Sequence, residues 1–138
     1  MDKKTVLSFI ANNPIFALAT SENNTPHVRF MMLYRADDSG VYFHTGESKD
    51  LHRQLSSDPM VEMCFCSPRE MMQVRVSGTA ELVEDDTLKR QIVKDRPFLE
   101  KWVDSQGYDS LCVYRVTEGK ATVWTMSTNF AGKDYIQL

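Results

Sequence analysis

Residues Met71-Met72-Gln73-Val74-Arg75-Val76-Ser77-Gly78-Thr79-Ala80-Glu81-Leu82-Val83 read as one long strand, interrupted once, at Gly78. A glycine inside a strand marks a bulge or a bend, such as the corner of a barrel. Before it, Ser67-Pro68-Arg69-Glu70 separates this strand from another over Met60 to Cys66. Asp58-Pro59 stops a helix over residues 48–57 that carries Leu51 and Leu55 at i, i+4. Earlier strands are expected at Ile15–Thr20, from about His27 to Arg35, and from Val41 to His44. Glu22-Asn23-Asn24-Thr25-Pro26 and Asp37-Asp38-Ser39-Gly40 have turn composition. A short helix over residues 3–12, with Val6, Leu7 and Ile10 on one face, opens the chain.

After the long strand, Asp85 or Asp86 caps a helix with Leu88, Ile92 and Val93, and Pro97 starts another that ends near Gly107. Leu111–Val116 and Ala121–Met126 predict a hairpin around Thr117-Glu118-Gly119-Lys120, and the tail from Ser127 has no assignment. Short connections make the strands mostly antiparallel. The fold class is therefore α+β, mainly β: an antiparallel, six- to seven-stranded split β-barrel with flanking helices, in a single domain over residues 1–138.

Composition agrees with a folded globular chain: 42% hydrophobic residues and a net charge of −3. That charge supplies no basic face for nucleic acid. No apolar run approaches the ~20 residues of a membrane span, and the start lacks the organisation of a signal peptide, so cytoplasm is the expected compartment. Cys64, Cys66 and Cys112 give no second pair for a zinc site and read as buried thiols.

Chemistry concentrates between Arg29 and Lys49. Arg29 opens a buried-looking strand, Arg29-Phe30-Met31-Met32-Leu33, and Val41-Tyr42-Phe43-His44 runs into Thr45-Gly46-Glu47-Ser48-Lys49 at a helix start. Ser48 is placed to cap that helix, whose free N–H groups and dipole attract an anion. Thr45 adds a hydroxyl, Gly46 permits close backbone approach, Lys49 adds a charge, and Arg29 brings a fork that matches two phosphate oxygens. The same residues also suit an ordinary capped helix with a solvated lysine. Gln73 offers an amide that can both donate and accept, and Trp124 suits either a core or a wall against a flat ligand. His44 is a candidate proton donor, since its class titrates near neutrality. No G-x-S-x-G, G-x-G-x-x-G or P-loop is present.

Together these segments resemble the pyridoxamine 5′-phosphate oxidase-like family of FMN-binding split barrels, over roughly residues 5–126. The likeness rests on Phe16-Ala17-Leu18-Ala19-Thr20, Pro26-His27-Val28-Arg29, Arg29-Phe30-Met31-Met32-Leu33, Tyr42-Phe43-His44-Thr45 with Ser48-Lys49-x-Leu51, Asp58-Pro59-Met60-Val61, and Gln73-Val74-Arg75-Val76-Ser77-Gly78-Thr79-Ala80. It implies a homodimer with FMN at the interface, each site built from both subunits. Arg29 and Lys49 would hold the phosphate with Thr45 and Ser48 assisting, Phe30, Met31 and Met32 would lie along the isoalloxazine, and His44, Gln73 and Trp124 would contact the cofactor. The true oxidases carry a late R-L-H-D-R motif for their substrate. Here Asn129–Leu138 contains neither arginine nor histidine, which points to the short branch related to nitroimidazole-resistance reductases. The implied activity passes hydride or electrons to a small molecule, with NAD(P)H as a candidate donor. The alternatives are a non-catalytic module that stores or senses flavin or haem, and a split barrel that has lost its cofactor.

Overall fold

Gly78 is the corner of the molecule. In the computed structural model, which describes residues 1–138, β6 (Met72–Val83) bends there and serves two halves of one nine-stranded sheet. It pairs with β8 (Lys120–Thr125) as far as Ser77 and with β5 (Met60–Ser67) as far as Thr79, and from Ala80 to Val83 it pairs with β7 (Leu111–Val116). A Cβ on Gly78 would stand 2.8 Å from Val116 Cγ1, so the bend brings two strands too close for any side chain. The other strands are β1 (Ile15–Glu22), β2 (Thr25–Met32), β3 (Arg35–Asp37), β4 (Gly40–Gly46) and β9 (Ile136–Gln137). The main strand order is β2-β1-β5-β6-β7-β4-β3, every pair is antiparallel, and the sheet stays unclosed as in a split barrel.

Three expectations change here. The two strands beyond the expected seven are the three-residue β3 and the two-residue β9. The hairpin expected around Thr117–Lys120 does not form: β7 pairs with β4 and β6, while β8 pairs with the other half of β6 and with β9. The turn instead carries the chain across the Gly78 corner, where a Cβ on Gly119 would meet Val76 Cγ1 at 2.9 Å. Finally, β2 is an edge strand rather than a buried one, with Val28 70%, Phe30 80% and Met32 50% exposed.

Inside the bend, Phe16 stacks on Phe65 at 4.8 Å between centroids and meets Phe43 edge-on at 6.0 Å. All three are at least 99% buried, each contributing about 2–3 kcal/mol through area removed from water. Helices α1 (Lys3–Asn12, capped by Asp2) and α2 (Asp50–Ser57) close this core with Val6, Phe9 and Ile10 and with Leu51 and Leu55. A smaller core lies under α3 (Asp86–Asp95) and α4 (Glu100–Gln106), where Ile92, Val93, Leu99 and Val103 cover Leu111 and Val113. Cys112 is buried as expected, but Cys64 is half-buried and Cys66 exposed on the outer face, and all three are free thiols. No helix is long and apolar enough to cross a membrane.

Candidate functional site

The strand register decides which way each candidate points. Arg29 pairs with Leu18, a core residue, so it turns to the inner face of the sheet, toward α2. Its Nη1 donates to Leu18 O (3.3 Å) and to Thr20 Oγ1 (2.8 Å), and its Nη2 donates to Gln54 Oε1. No carboxylate pairs with it. Glu22 of β1 and Asp50 of α2 are claimed by Arg53, whose Nε meets Glu22 at 3.0 Å and whose Nη1 meets Asp50 at 2.9 Å. A half-buried guanidinium held only by neutral acceptors keeps its positive charge open to an incoming anion.

The turn leading into α2 supplies further donors. Thr45 is buried on β4 opposite Cys112, with no side-chain hydrogen bond inside the chain, while Ser48 and Lys49 are exposed. Ser48 is not the cap. A turn closed by Lys49 N–H to Gly46 O at 3.0 Å makes Lys49 the N-cap, and no side chain caps the helix. Gly46 answers a different need from the one expected, since a Cβ there would meet Trp102 Cζ2 at 3.0 Å.

His44 is half-buried and tied to a residue that sequence reasoning missed. Arg96, just after α3, donates from Nη1 to His44 Nε2 at 2.6 Å and from Nη2 to Leu33 O at 2.6 Å, with its face against Tyr34. Burial, followed by the charges of Arg96 and Lys49, pushes the imidazole pKa down to about 4. His44 is therefore neutral at physiological pH, accepts a hydrogen bond from Arg96 at Nε2 and keeps its one proton on Nδ1. The unfolded chain binds a proton at about pH 6.5 and the folded chain does not until about pH 4. Stability is thus expected to fall as pH drops from about 6.5 to 4, by up to about 3 kcal/mol from this group. Urea melts across that window should show the slope, and His44→Gln, which keeps an acceptor for Arg96, should flatten it.

Gln73 and Trp124 face each other across β6 and β8 on the outer face of the sheet. Both are half-buried. Gln73 accepts a weak bond from Cys64 Sγ at 3.8 Å, and Trp124 Nε1 donates to Asn129 Oδ1 at 2.9 Å. They line a cavity of about 680 Å³ with Arg75, Thr125 and Lys133, roofed by the tail. That volume suits a small planar ligand. Trp124 is a wall of this cavity rather than core.

The candidates thus fall into two groups that one chain does not unite. Arg29 lies on the inner face of β2, whereas Gln73 and Trp124 lie on the outer face, three or more strands away. At ~4.7–4.9 Å per strand the lateral gap alone is about 14 Å. Phe30 and Met32 point outward from β2, while Met31 points inward against the core. Sequence reasoning also missed Thr20 and Gln54, which are 4% and 2% exposed. Both carried a signal: Thr20 continues the inward series Phe16, Leu18, and Gln54 sits on the apolar helix face between Leu51 and Leu55. Arg96 carried none.

The family model described as pyridoxamine 5′-phosphate oxidase matches residues 2–126. The chain belongs to the pyridoxamine 5′-phosphate oxidase family. Among its relatives is a pyridoxine/pyridoxamine 5′-phosphate oxidase of Pelagibacter ubique, 30% identical over 110 residues, covering 78% of this chain and 46% of that protein. The chain spans less than half the length of that oxidase. General stress protein 26 of Bacillus subtilis is 25% identical over 119 residues, covering 83% of this chain and 81% of that one. A NimC/NimA family protein from Clostridium acetobutylicum shares the fold, with a TM-score of 0.77 at 20% identity over 98% of this chain and 92% of that one. Pyridoxamine 5′-phosphate oxidase family members commonly bind flavin.

Proposed function

We propose that two copies of this chain bind FMN in shared sites and serve as an oxidoreductase, passing hydride or electrons from a reduced donor such as NAD(P)H to a small molecule. The observation that carries the reading is the split of the donors. Arg29, on the inner face of β2, would make an anion end with Thr45, Ser48 and Lys49 of the turn into α2, and Gln73 and Trp124, on the outer face, would make a flat-ligand end. A second copy can unite them. The outer face favours such a partner: Ile15, Val28, Phe30 and Met32 are exposed beside the small residues Ala17 and Ala19, a flat apolar strip.

FMN bound there would supply two-electron chemistry, and the protein would hold and orient it. Arg29 and Lys49 would bind the phosphate, and Gln73 would offer both a donor and an acceptor to the ring edge. Visible spectra test the reading directly. Protein purified or reconstituted with FMN should show a bound flavin band that bleaches on anaerobic addition of NADPH or NADH. A flavin band that neither donor bleaches favours the storage or sensing module, and protein that takes up no FMN sinks the proposal.

A further inference from the structure

We propose that Thr20 and Gln54 are positioning residues that aim the Arg29 guanidinium at a phosphate monoester, and that the Gln54 amide donates to the same group. This rests on the reading of Arg29 as the anion end of the site. Thr20 and Gln54 come from β1 and α2, are nearly inaccessible, and close a ring of hydrogen bonds with Arg29. Thr20 Oγ1 donates to Gln54 Oε1 at 2.7 Å while accepting from Arg29 Nη1 at 2.8 Å. Gln54 Oε1 also accepts from Arg29 Nη2. Two donors converging on one oxygen fix the amide, because the flipped form would set its NH₂ against the guanidinium.

Counting hydrogens shows what remains. Arginine carries five N–H donors in a rigid plane. Nη1 spends both of its hydrogens on Leu18 O and Thr20 Oγ1, and Nη2 spends one on Gln54. The Nε–H and the second Nη2–H are left, and these form the parallel pair that fits two oxygens of a phosphate. The Gln54 Nε2 hydrogens have no acceptor in the chain either, in a residue 2% exposed. The nitrogen itself reaches solvent, so water serves it in the free protein and a phosphate oxygen can take that place. The holders are neutral for a reason. A carboxylate in place of Gln54 would cancel the charge that a phosphate needs, and Arg53 keeps Glu22 and Asp50 from doing so.

The test compares FMN, riboflavin and inorganic phosphate as probes on the full chain. Riboflavin shares the ring and ribityl of FMN and lacks the phosphate. The wild type should prefer FMN to riboflavin by about a hundredfold or more, as two charge-assisted bonds imply. Gln54→Glu should cut that preference by about tenfold or more with riboflavin affinity unchanged, since only the phosphate loses its donors. Thr20→Val should lower the same ratio and Thr20→Ser should restore it, which a merely structural role would not do. Ratios within twofold of wild type in folded Gln54→Glu or Thr20→Val overturn the proposal. If the wild type binds neither flavin, the FMN reading fails by itself. Phosphate-induced thermal stabilisation then decides the inference: present in wild type and lost in the variants supports it, and absent in wild type overturns it.

Discussion

Arg29→Ala should lose FMN and keep its stability. The loss follows from the two free N–H groups on the guanidinium edge. Each charge-assisted bond to a phosphate oxygen contributes about 1.5–3 kcal/mol, so FMN should bind at least about a hundredfold more weakly. Arg29→Lys should recover little, because an ammonium cannot present two parallel donors or reach Leu18, Thr20 and Gln54 together. The preserved stability is the less obvious half. In the free protein the guanidinium is half-buried without a carboxylate, and burial lowers its pKa below the usual arginine value. Removing it takes away an uncompensated charge, and Thr20 still donates to Gln54 at 2.7 Å. Titration of flavin fluorescence alongside thermal melts should therefore show affinity collapsing while Tm moves little. A large fall in Tm, or wild-type retention of FMN, would make Arg29 a structural residue.

The same residue shows how far the sequence could be read. Alternation in Phe16-Leu18-Thr20 and the break at Gly78 were local signals, and both survive as the inner face of β1 and the corner of β6. The exposure of Phe30 and Met32 was not local. An apolar strand looks the same in the middle of a sheet as at its edge, and only the strand order puts β2 outside. Thr117–Lys120 misled for a similar reason. Turn composition says that the chain reverses, but the packing of Gly78 and Gly119 against Val76 and Val116 decides which strand it meets next. Gly46 looked like space for a ligand and is filled from α4 by Trp102, more than fifty residues away. In the site, Gln54 was legible as a polar residue on an apolar helix face, whereas Arg96 depends on a contact with His44 that no spacing announces.

Variants of the two ends of the site should rescue each other. Arg29→Ala removes the anion end and Trp124→Ala removes a wall of the flat-ligand end, so each protein alone should retain little FMN. Tested together, they separate a shared site from a one-chain site. If each site takes Arg29 from one copy and Trp124 from the other, a mixed dimer holds one intact site and one doubly damaged site. Random pairing makes half of the dimers mixed, so about a quarter of all sites should regain flavin after co-expression or joint refolding. A site contained in one chain gives no recovery, because every chain in the mixture carries a defect. The geometry favours recovery: Arg29 and Trp124 lie on opposite faces of the sheet with β1, β5 and β6 between their strands. Mixing should also work only where copies exchange, so Phe30→Asp, which charges the exposed strip on β2, should abolish the rescue and shift the protein toward monomer on sizing. Full retention of FMN by an otherwise wild-type Phe30→Asp protein that runs as a monomer would detach flavin binding from assembly and return both ends of the site to a single chain.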